Sequence, residues 1–175
     1  MKRVLFVLGQ LSDNDIEWMI DNGTKQQYLA GEHIVTQGEL IDHIYIVLSG
    51  KLNIYNEMHA DLEIAKIGSG EIIGEMSFLD ERPPSVSVKA MRDSSVFAIP
   101  LDVVKRRLEV DTRFAASFYY SIALFLSNRL RKTTSKLGYG ILEDEVDELN
   151  VNILNQVGKA GARFSRILNK FSEIN

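Results

Sequence analysis

The residues best suited to binding chemistry stand close together in the middle of the chain, between Gly70 and Val88. Gly74 precedes Glu75, whose carboxylate can accept hydrogen bonds from hydroxyl groups. A glycine lets the backbone approach a ligand closely, and the first N–H groups of a helix lack partners within that helix. Such N–H groups carry partial positive charge and suit a phosphate. This stretch therefore predicts a site for a ligand that carries both a phosphate and hydroxyls, such as a ribose phosphate.

The local sequence also predicts how this stretch folds. Residues 75–79 are long enough for about one and a half helical turns. Pro83 and Pro84 would stop that helix, because proline cannot continue it. Residues 85–88 then alternate serine and valine, which is typical of a strand. We expect a short helix between two strands.

The stretch closely resembles the phosphate-binding cassette of the cyclic nucleotide-binding domain family. That family has roughly Gly-Glu, then apolar or small residues, a short spacer, and Pro-Arg-Ala-Ala-Thr/Ser-Val. One position departs, because Pro84 stands where the family places the arginine that pairs with the cyclic phosphate. Proline offers neither a charge nor an N–H donor. The positions that fit are Gly74, Glu75, Met76, Ser77, Phe78, Leu79, Pro83, Ser87 and Val88.

Short β-like segments separated by glycines surround the cassette, the first of them at residues 28–30. Short strands with turns between them indicate a β-sandwich, a barrel or a jelly roll. The glycine spacing and the phrase Ile-Tyr-Ile-Val-Leu-Ser-Gly at residues 44–50 also resemble the β-roll of the same family, over roughly residues 11–136. We therefore predict a mainly β fold with flanking α-helices. This cyclic nucleotide-binding-type β-roll (jelly roll) has an N-terminal helix, a cassette helix, a long C-terminal lid helix and a helical tail.

The helices frame this roll. Ser12 or Asp13 is expected to cap the first helix, which ends near Gly23. The lid helix is predicted over residues 113–137, and its apolar stripe is wide enough to cover the roll and still contact a second chain. We predict a homodimer through this helix, with packing on its own domain as the alternative. The stripe comprises Phe114, Phe118, Ile122, Phe125, Leu126 and Leu130.

The chain is predicted to divide into a domain at residues 1–137, which includes the lid helix, and a helical C-terminal extension at 138–175. Residues 138–140 would form the hinge, and the acidic run 143–148 is either a solvated first turn or a docking patch. Gly158 and Gly161 weaken the tail helix, so it is expected to need docking. Its apolar face comprises Phe164, Ile167, Leu168 and Phe171, and its basic row Lys159, Arg163, Arg166 and Lys170.

Composition excludes several classes of protein. The 175 residues, 45% of them hydrophobic, can bury one core, and zero cysteines remove disulfides, thiolate metal sites and cysteine nucleophiles. The net charge of −4 gives no overall attraction to nucleic acid or to an anionic membrane. No apolar run reaches the ~20 residues of a membrane span. We expect a cytoplasmic protein whose residues 4–8 pack on the domain.

Enzyme chemistry and direct DNA binding are not expected. His33, His43 and His59 lack the His-x-His pair of metal-binding jelly rolls, and no serine–histidine–aspartate order or nucleophile elbow is visible, so we predict no catalytic and no metal-binding residues. The catabolite activator members of the family continue into a helix-turn-helix module of roughly 70 residues. Residues 139–175 are fewer and begin acidic, whereas a recognition helix needs a basic surface.

The resemblance implies a set of ligand contacts. Glu75 would bind the ribose 2′-hydroxyl, and the N–H groups of the cassette would face the phosphate. Three outcomes stay open because of Pro84: weak binding of a 3′,5′-cyclic nucleotide (cAMP or cGMP), binding of another nucleotide or anion, or a ligand-free dimerisation or interaction scaffold. In the first two, a non-enzymatic sensor would pass its state to a protein partner. The implied site comprises Gly74, Glu75, Met76 and Ser85 at the phosphate, Val86 and Ser87 at the base, and Thr133 and Thr134 on the lid helix.

Overall fold

Two four-stranded antiparallel sheets form the body of the protein, whose computed structural model describes residues 8–59, 62–136 and 151–172. The order of the first sheet is β1-β8-β3-β6, and that of the second is β2-β7-β4-β5. Short strands separated by turns thus build the predicted roll. The strands are β1 (Thr24–Tyr28), β2 (His33–Val35), β3 (His43–Ser49), β4 (Lys51–Asn56), β5 (Leu62–Gly68), β6 (Ile72–Ile73), β7 (Ser87–Ala90) and β8 (Ser94–Pro100).

Helices flank the roll at both ends of the chain and at the cassette. Ser12 caps the first helix, as predicted, and Asp15 makes the cap reciprocal: Asp15 N–H donates to Ser12 Oγ at 3.2 Å, and Ser12 N–H donates to Asp15 Oδ2 at 2.8 Å. The helices are α1 (Asp13–Asn22), α2 (Glu75–Asp80), α3 (Leu101–Val110), α4 (Thr112–Lys136) and α5 (Val151–Ser172), with a 3-10 turn at Glu57–His59.

The core has two parts. One lies between the two sheets and contains residues such as Val47, Leu52 and Val96. The other lies between the first sheet and the helices, and most of the predicted α4 stripe is buried in it. Burial of this stripe anchors α4, because a helix of this length gains most of its stability from packing an apolar face. The buried members from α4 are Phe114, Phe118, Ile122 and Phe125, and α5 adds Phe164 and Ile167.

The structure confirms the predicted fold and corrects details of it. The first strand is not 28–30 but β1, which pairs with β8 through a polar sequence that gives no apolar signal. Leu29 lies beyond that strand and is 65% exposed. Leu130, expected in the buried stripe, is 64% exposed. The predicted hinge, the acidic run and the boundary at 137/138 lie outside the described residues, as do residues 4–7 of the N-terminal segment, although Leu8 is fully buried.

Candidate functional site

Gly74 is the N-cap of the short helix α2, and only glycine fits at this position. Gly74 adopts φ 92°, in the left-handed region, and a Cβ atom would lie 2.7 Å from Ile41 Cδ1 and 3.0 Å from the His43 carbonyl oxygen. Phe78 N–H donates the first helical hydrogen bond to the Gly74 carbonyl at 3.0 Å. The pairing of β6 with β3 delivers the chain to this point, since Ile73 lies opposite Tyr45. The cassette is therefore mounted on the edge of the first sheet.

The segment after α2 is fixed by its own hydrogen bonds. Glu81 adopts φ 57°, and its N–H donates to the Ser77 carbonyl at 3.0 Å. Arg82 N–H donates to Asp80 Oδ1 at 3.2 Å. The Pro84 carbonyl accepts from Gly38 N–H, in the turn after β2, at 2.9 Å. These contacts hold residues 80–84 as a rim beside the second sheet.

A cavity of about 300 Å³ lies between α2, this rim and the sheets. Isoleucine and valine side chains supply most of its apolar wall, and two carboxylates and two guanidiniums supply its charged part. The cavity can therefore hold an apolar ring at one side and polar groups at the other. Its lining comprises Val35, Ile41, Ile54, Ile72, Ile73, Gly74, Glu75, Met76, Ser77, Asp80, Arg82, Pro83, Pro84, Ser85, Val86, Val88 and Arg129.

The strongest polar contact of the cavity joins Glu75 to Arg129 of α4. The Arg129 guanidinium donates a hydrogen bond to Glu75 Oε1 and forms an ion pair with it. The Glu75 side chain is 3% exposed and that of Arg129 is 31% exposed. A carboxylate so deeply buried needs a charged partner, because leaving it alone would carry a large desolvation penalty. This ion pair ties the lid helix to the cassette.

The cavity has cationic side chains, although Pro84 stands where the family places its arginine. Arg129 and Arg82 both line it. Glu75 already engages Arg129. The Arg82 guanidinium forms no ion pair within the described residues, and Arg82 is exposed at the rim. Arg82 is thus the cation still available to an anionic ligand.

The structure brings part of the predicted site together. Gly74, Glu75, Met76, Ser85 and Val86 all line the cavity. They come from two segments on either side of the rim. They meet at the wall of one cavity.

Ser87 and the two lid threonines lie outside the cavity lining. Ser87 is fully buried, its hydroxyl donates to Glu57 Oε1, and it accepts from Gln37 N–H at 2.8 Å. The hydroxyl of Thr133 donates to the Arg129 carbonyl at 2.9 Å, and that of Thr134 donates to the Leu130 carbonyl at 3.1 Å. These hydroxyls therefore satisfy local backbone and side-chain partners in this structure.

Sequence reasoning missed Arg129 as a site residue, although a signal for it exists. Arg129 lies one helical turn before Thr133, and residues four apart share a face of a helix. A threonine predicted to face the cavity thus implies that Arg129 faces the same side. Glu75 offers the matching charge, and a buried carboxylate is rarely left unpaired.

Comparison with known proteins identifies the domain. Residues 25–111 match the family model described as cyclic nucleotide-binding domain, and this span includes both sheets and the whole cassette. The chain belongs to the cyclic nucleotide-binding domain family. The match begins within β1 and ends just before α4, so the family model covers the roll and not the lid helix.

Several named proteins are similar to this cyclic nucleotide-binding domain. The cyclic AMP receptor protein of Thermus thermophilus is 29% identical over 132 residues, which is 73% of this chain and 58% of the relative. A cAMP-dependent protein kinase regulatory subunit of Candida albicans is 29% identical over 49% of this chain and 18% of its own length. The chain thus spans less than two thirds of each. A cyclic nucleotide-binding domain from Methylobacillus flagellatus shares the fold, with a TM-score of 0.68 at 20% identity over 82% of this chain and 86% of that one.

The described residues of this cyclic nucleotide-binding domain show no group of three or more histidine, aspartate or glutamate side chains placed to hold a metal ion. Within the same residues, no helix has the length and apolar character needed to cross a membrane.

Proposed function

We propose that this domain is a non-enzymatic regulatory module that binds a cyclic nucleotide, cAMP or cGMP, and passes its state to a protein partner. The observation that carries the proposal is the buried Glu75, which faces the cavity from α2 and is paired with Arg129 of the lid helix. The proposed location is the cytoplasm, which a chain with zero cysteines fits.

The cavity suits such a ligand in size and in character. Its volume of about 300 Å³ matches the lower end of the range for small-molecule pockets. The apolar wall would take the base, and Glu75 would accept from a ribose hydroxyl. Ser85 and the guanidinium of Arg82, which both line the cavity, supply donors for a phosphate. The relatives named for cyclic AMP support the choice of ligand.

Signal transfer would use the Glu75–Arg129 pair. A ribose hydroxyl that donates to Glu75 uses the same carboxylate as Arg129. The hydroxyl either competes with Arg129 or adds a second hydrogen bond to that carboxylate, and either change alters the preferred position of α4. A ligand shifts a conformational equilibrium only through different affinities for the two states. Contact with Glu75, which belongs to an ion pair that joins α2 to α4, provides that difference.

Titration calorimetry tests the proposal directly. The chain is titrated with cAMP and with cGMP to millimolar concentration. We expect saturable heat for at least one of them and its loss in Glu75→Ala. Glu81→Ala is the matched control, because Glu81 is an exposed carboxylate outside the cavity lining that pairs with Lys105. Equal binding by the two variants would contradict the role of Glu75.

A second candidate is a ligand-free interaction scaffold. It is favoured by Pro84, which offers no donor, and by the equal numbers of carboxylates and guanidiniums in the lining. A charge-assisted hydrogen bond contributes roughly 1.5–3 kcal/mol, so its loss weakens binding ~10- to 150-fold. No heat from the natural chain together with binding by Pro84→Arg would favour the scaffold.

The proposed assembly is a homodimer through α4. Tyr119, Tyr120 and Leu130 of this helix are 48%, 57% and 64% exposed, although their neighbours on α4 are buried. Light scattering during gel filtration measures the mass, and Leu130→Arg should give the monomer if α4 forms the interface. Leu40→Arg is the control, because Leu40 is 76% exposed in a loop far along the chain from α4. A dimer that survives Leu130→Arg would place the interface elsewhere.

A further inference from the structure

The first helix presents two acidic faces to two different neighbours. Asp15 pairs with Arg107 of α3 and is 3% exposed. Asp13 and Glu17 lie four residues apart, on another face of α1, and both pair with arginines of α5. α1 has no lysine or arginine between residues 13 and 22. It is therefore an acidic helix that basic side chains hold on two sides.

Arg163 makes the most extensive contact between α5 and the N-terminal region. Its Nε donates to Asp13 Oδ1 at 2.8 Å, and another guanidinium nitrogen donates to the carbonyls of Leu8 and Gly9 at 2.8 and 3.2 Å. Residues 8–10 are helical, so these carbonyls lie near the end of a helix, where a cation is favourable. The Arg163 side chain is 11% exposed. One guanidinium thus fixes α5 to both the end of this helix and the start of α1.

Apolar packing accompanies these charges. Phe164 and Ile167 of α5 are 4% and 0% exposed, in the core part that also contains Leu8, Leu11 and Ile16. Leu168 packs against the same core part. Arg166, which pairs with Glu17, is about half exposed and contributes little, as surface ion pairs do. The contact is therefore an apolar strip with one strong guanidinium clamp beside it.

The preceding part of α5 is intrinsically weak as a helix. Gly158 and Gly161 lie within it, and a Cβ atom at either position would meet nothing within 4 Å. Packing does not require these glycines. Each lowers helix stability by about 1 kcal/mol relative to alanine. α5 thus depends on its docked residues, and loss of that docking would release it.

We infer that the face of α1 that carries Asp13 and Glu17 is a docking surface for a basic amphipathic helix of a partner protein, and that α5 closes this surface in cis. The surface offers two carboxylates beside the apolar residues of the core part that Phe164 and Ile167 share, and α5 shows the chemistry that fits it. A partner helix with an arginine at the position of Arg163 and a large apolar residue three or four positions on would compete for the same contacts. This inference is independent of nucleotide binding.

The first test measures release of α5 in the full chain by hydrogen–deuterium exchange. Arg163→Ala should increase exchange of the amides in residues 160–170 by about 10- to 150-fold, because it removes charge-assisted hydrogen bonds from a nearly buried group. Lys170→Ala is the matched control, because Lys170 is exposed on the same helix and forms no ion pair within the described residues. Equal exchange in these two variants would show that Arg163 is not the clamp.

The second test asks whether the uncovered surface accepts a helix in trans. The fluorescence anisotropy of a labelled peptide with the sequence of residues 151–172 should rise when the Arg163→Ala chain is added. It should not rise when the natural chain is added. The same peptide carrying Arg163→Ala should not bind. Binding should disappear when Asp13→Lys and Glu17→Lys are added to the chain. Circular dichroism checks that each variant keeps its fold. Ile167→Ala is a second variant that should release α5 (a second release variant beside Arg163→Ala), and it leaves both ion pairs intact.

Several outcomes would overturn the inference. No peptide binding by either release variant, despite faster exchange in α5, would show that the uncovered face is not a docking surface. Equal binding by the natural chain would show that α5 does not close it. A dimer of the release variant that excludes the peptide, detected by light scattering, would assign the surface to α5 of a second copy and contradict a separate partner.

Discussion

Arg129 of α4 donates a hydrogen bond to Glu75 of α2, 54 positions earlier in the sequence. The carboxylate is almost fully buried, and the guanidinium is about two thirds buried. This pair joins the lid helix to the cassette at the wall of the cavity. It has consequences for stability that can be measured without any ligand.

Removal of the guanidinium should destabilise the fold. We expect Arg129→Ala to lower the free energy of unfolding by about 2–3 kcal/mol, because it leaves the Glu75 carboxylate buried without its counter-ion. Urea denaturation measures the change, and Arg131→Ala on the exposed surface of the same helix should change it by less than about 0.5 kcal/mol. Equal effects of the two substitutions would mean that the pair contributes little to stability.

A second buried pair holds the junction between α3 and α4. The Arg107 guanidinium pairs with Asp15 and lies 4.4 Å from the centre of the Trp18 ring and 4.1 Å from that of Phe114. Arg107→Lys should lower the free energy of unfolding by about 1–3 kcal/mol, because an ammonium cannot reproduce the contacts that a planar guanidinium makes with the two rings.

The neighbouring Arg106 provides the control for this prediction. It pairs with Asp102 one turn away, and both side chains are about two thirds exposed. Arg106→Lys should therefore change the urea midpoint hardly at all. If Arg107→Lys proved as mild as Arg106→Lys, the contacts of the Arg107 guanidinium with the Trp18 and Phe114 rings would not be stabilising.

Much of this architecture could be predicted from local sequence signals. Ser12 followed three residues later by Asp15 indicates a helix start, and the structure has both reciprocal bonds. The four- and three-residue spacing of Phe118, Ile122 and Phe125 predicts their burial in α4, which the structure confirms. These signals are reliable because they arise within one element and do not depend on which element packs against it.

Contacts between distant elements were harder to foresee. The first strand was misplaced because β1 is polar and gains its place by pairing with β8. Arg129 was overlooked as a member of the cavity because its partner, Glu75, lies in another element, 54 positions earlier in the sequence. The role of Arg163 was missed for the same reason, since its acceptors include backbone carbonyls of Leu8 and Gly9, which carry no sequence signature.

Gly74 should be intolerant of any side chain. Gly74→Ala combines a left-handed backbone with a Cβ clash against the His43 backbone, so we expect a loss of at least about 2–4 kcal/mol in the free energy of unfolding. Gly38→Ala is the matched control, because Gly38 also has positive φ, at 80°, but nothing lies within 4 Å of the added atom. It should lose only about 1–2 kcal/mol. Urea denaturation of both variants separates backbone strain from steric clash, and similar losses would contradict the tight fit at the cassette.

Alkaline pH should destabilise the fold through Tyr45. Burial, with smaller contributions from Tyr28 and Asp42, raises the pKa of Tyr45 from its ordinary value of 10.0 to about 12, and the residue is 6% exposed. The unfolded chain loses this proton near pH 10 while the folded chain retains it. Its contribution to stability is therefore complete below pH 10 and is lost as pH rises through about 12.

The measurement is urea denaturation of the natural chain and of Tyr45→Phe between pH 9 and 11.5. Because phenylalanine has no proton to lose, the natural chain should lose more stability over this interval, by about 2 kcal/mol at its upper end. Tyr120→Phe is the control, since Tyr120 is 57% exposed on α4, and its profile should follow that of the natural chain. Parallel profiles for the natural chain and Tyr45→Phe would show that the Tyr45 hydroxyl reaches solvent without unfolding, and the first sheet would then be more open around β3 than its packing indicates.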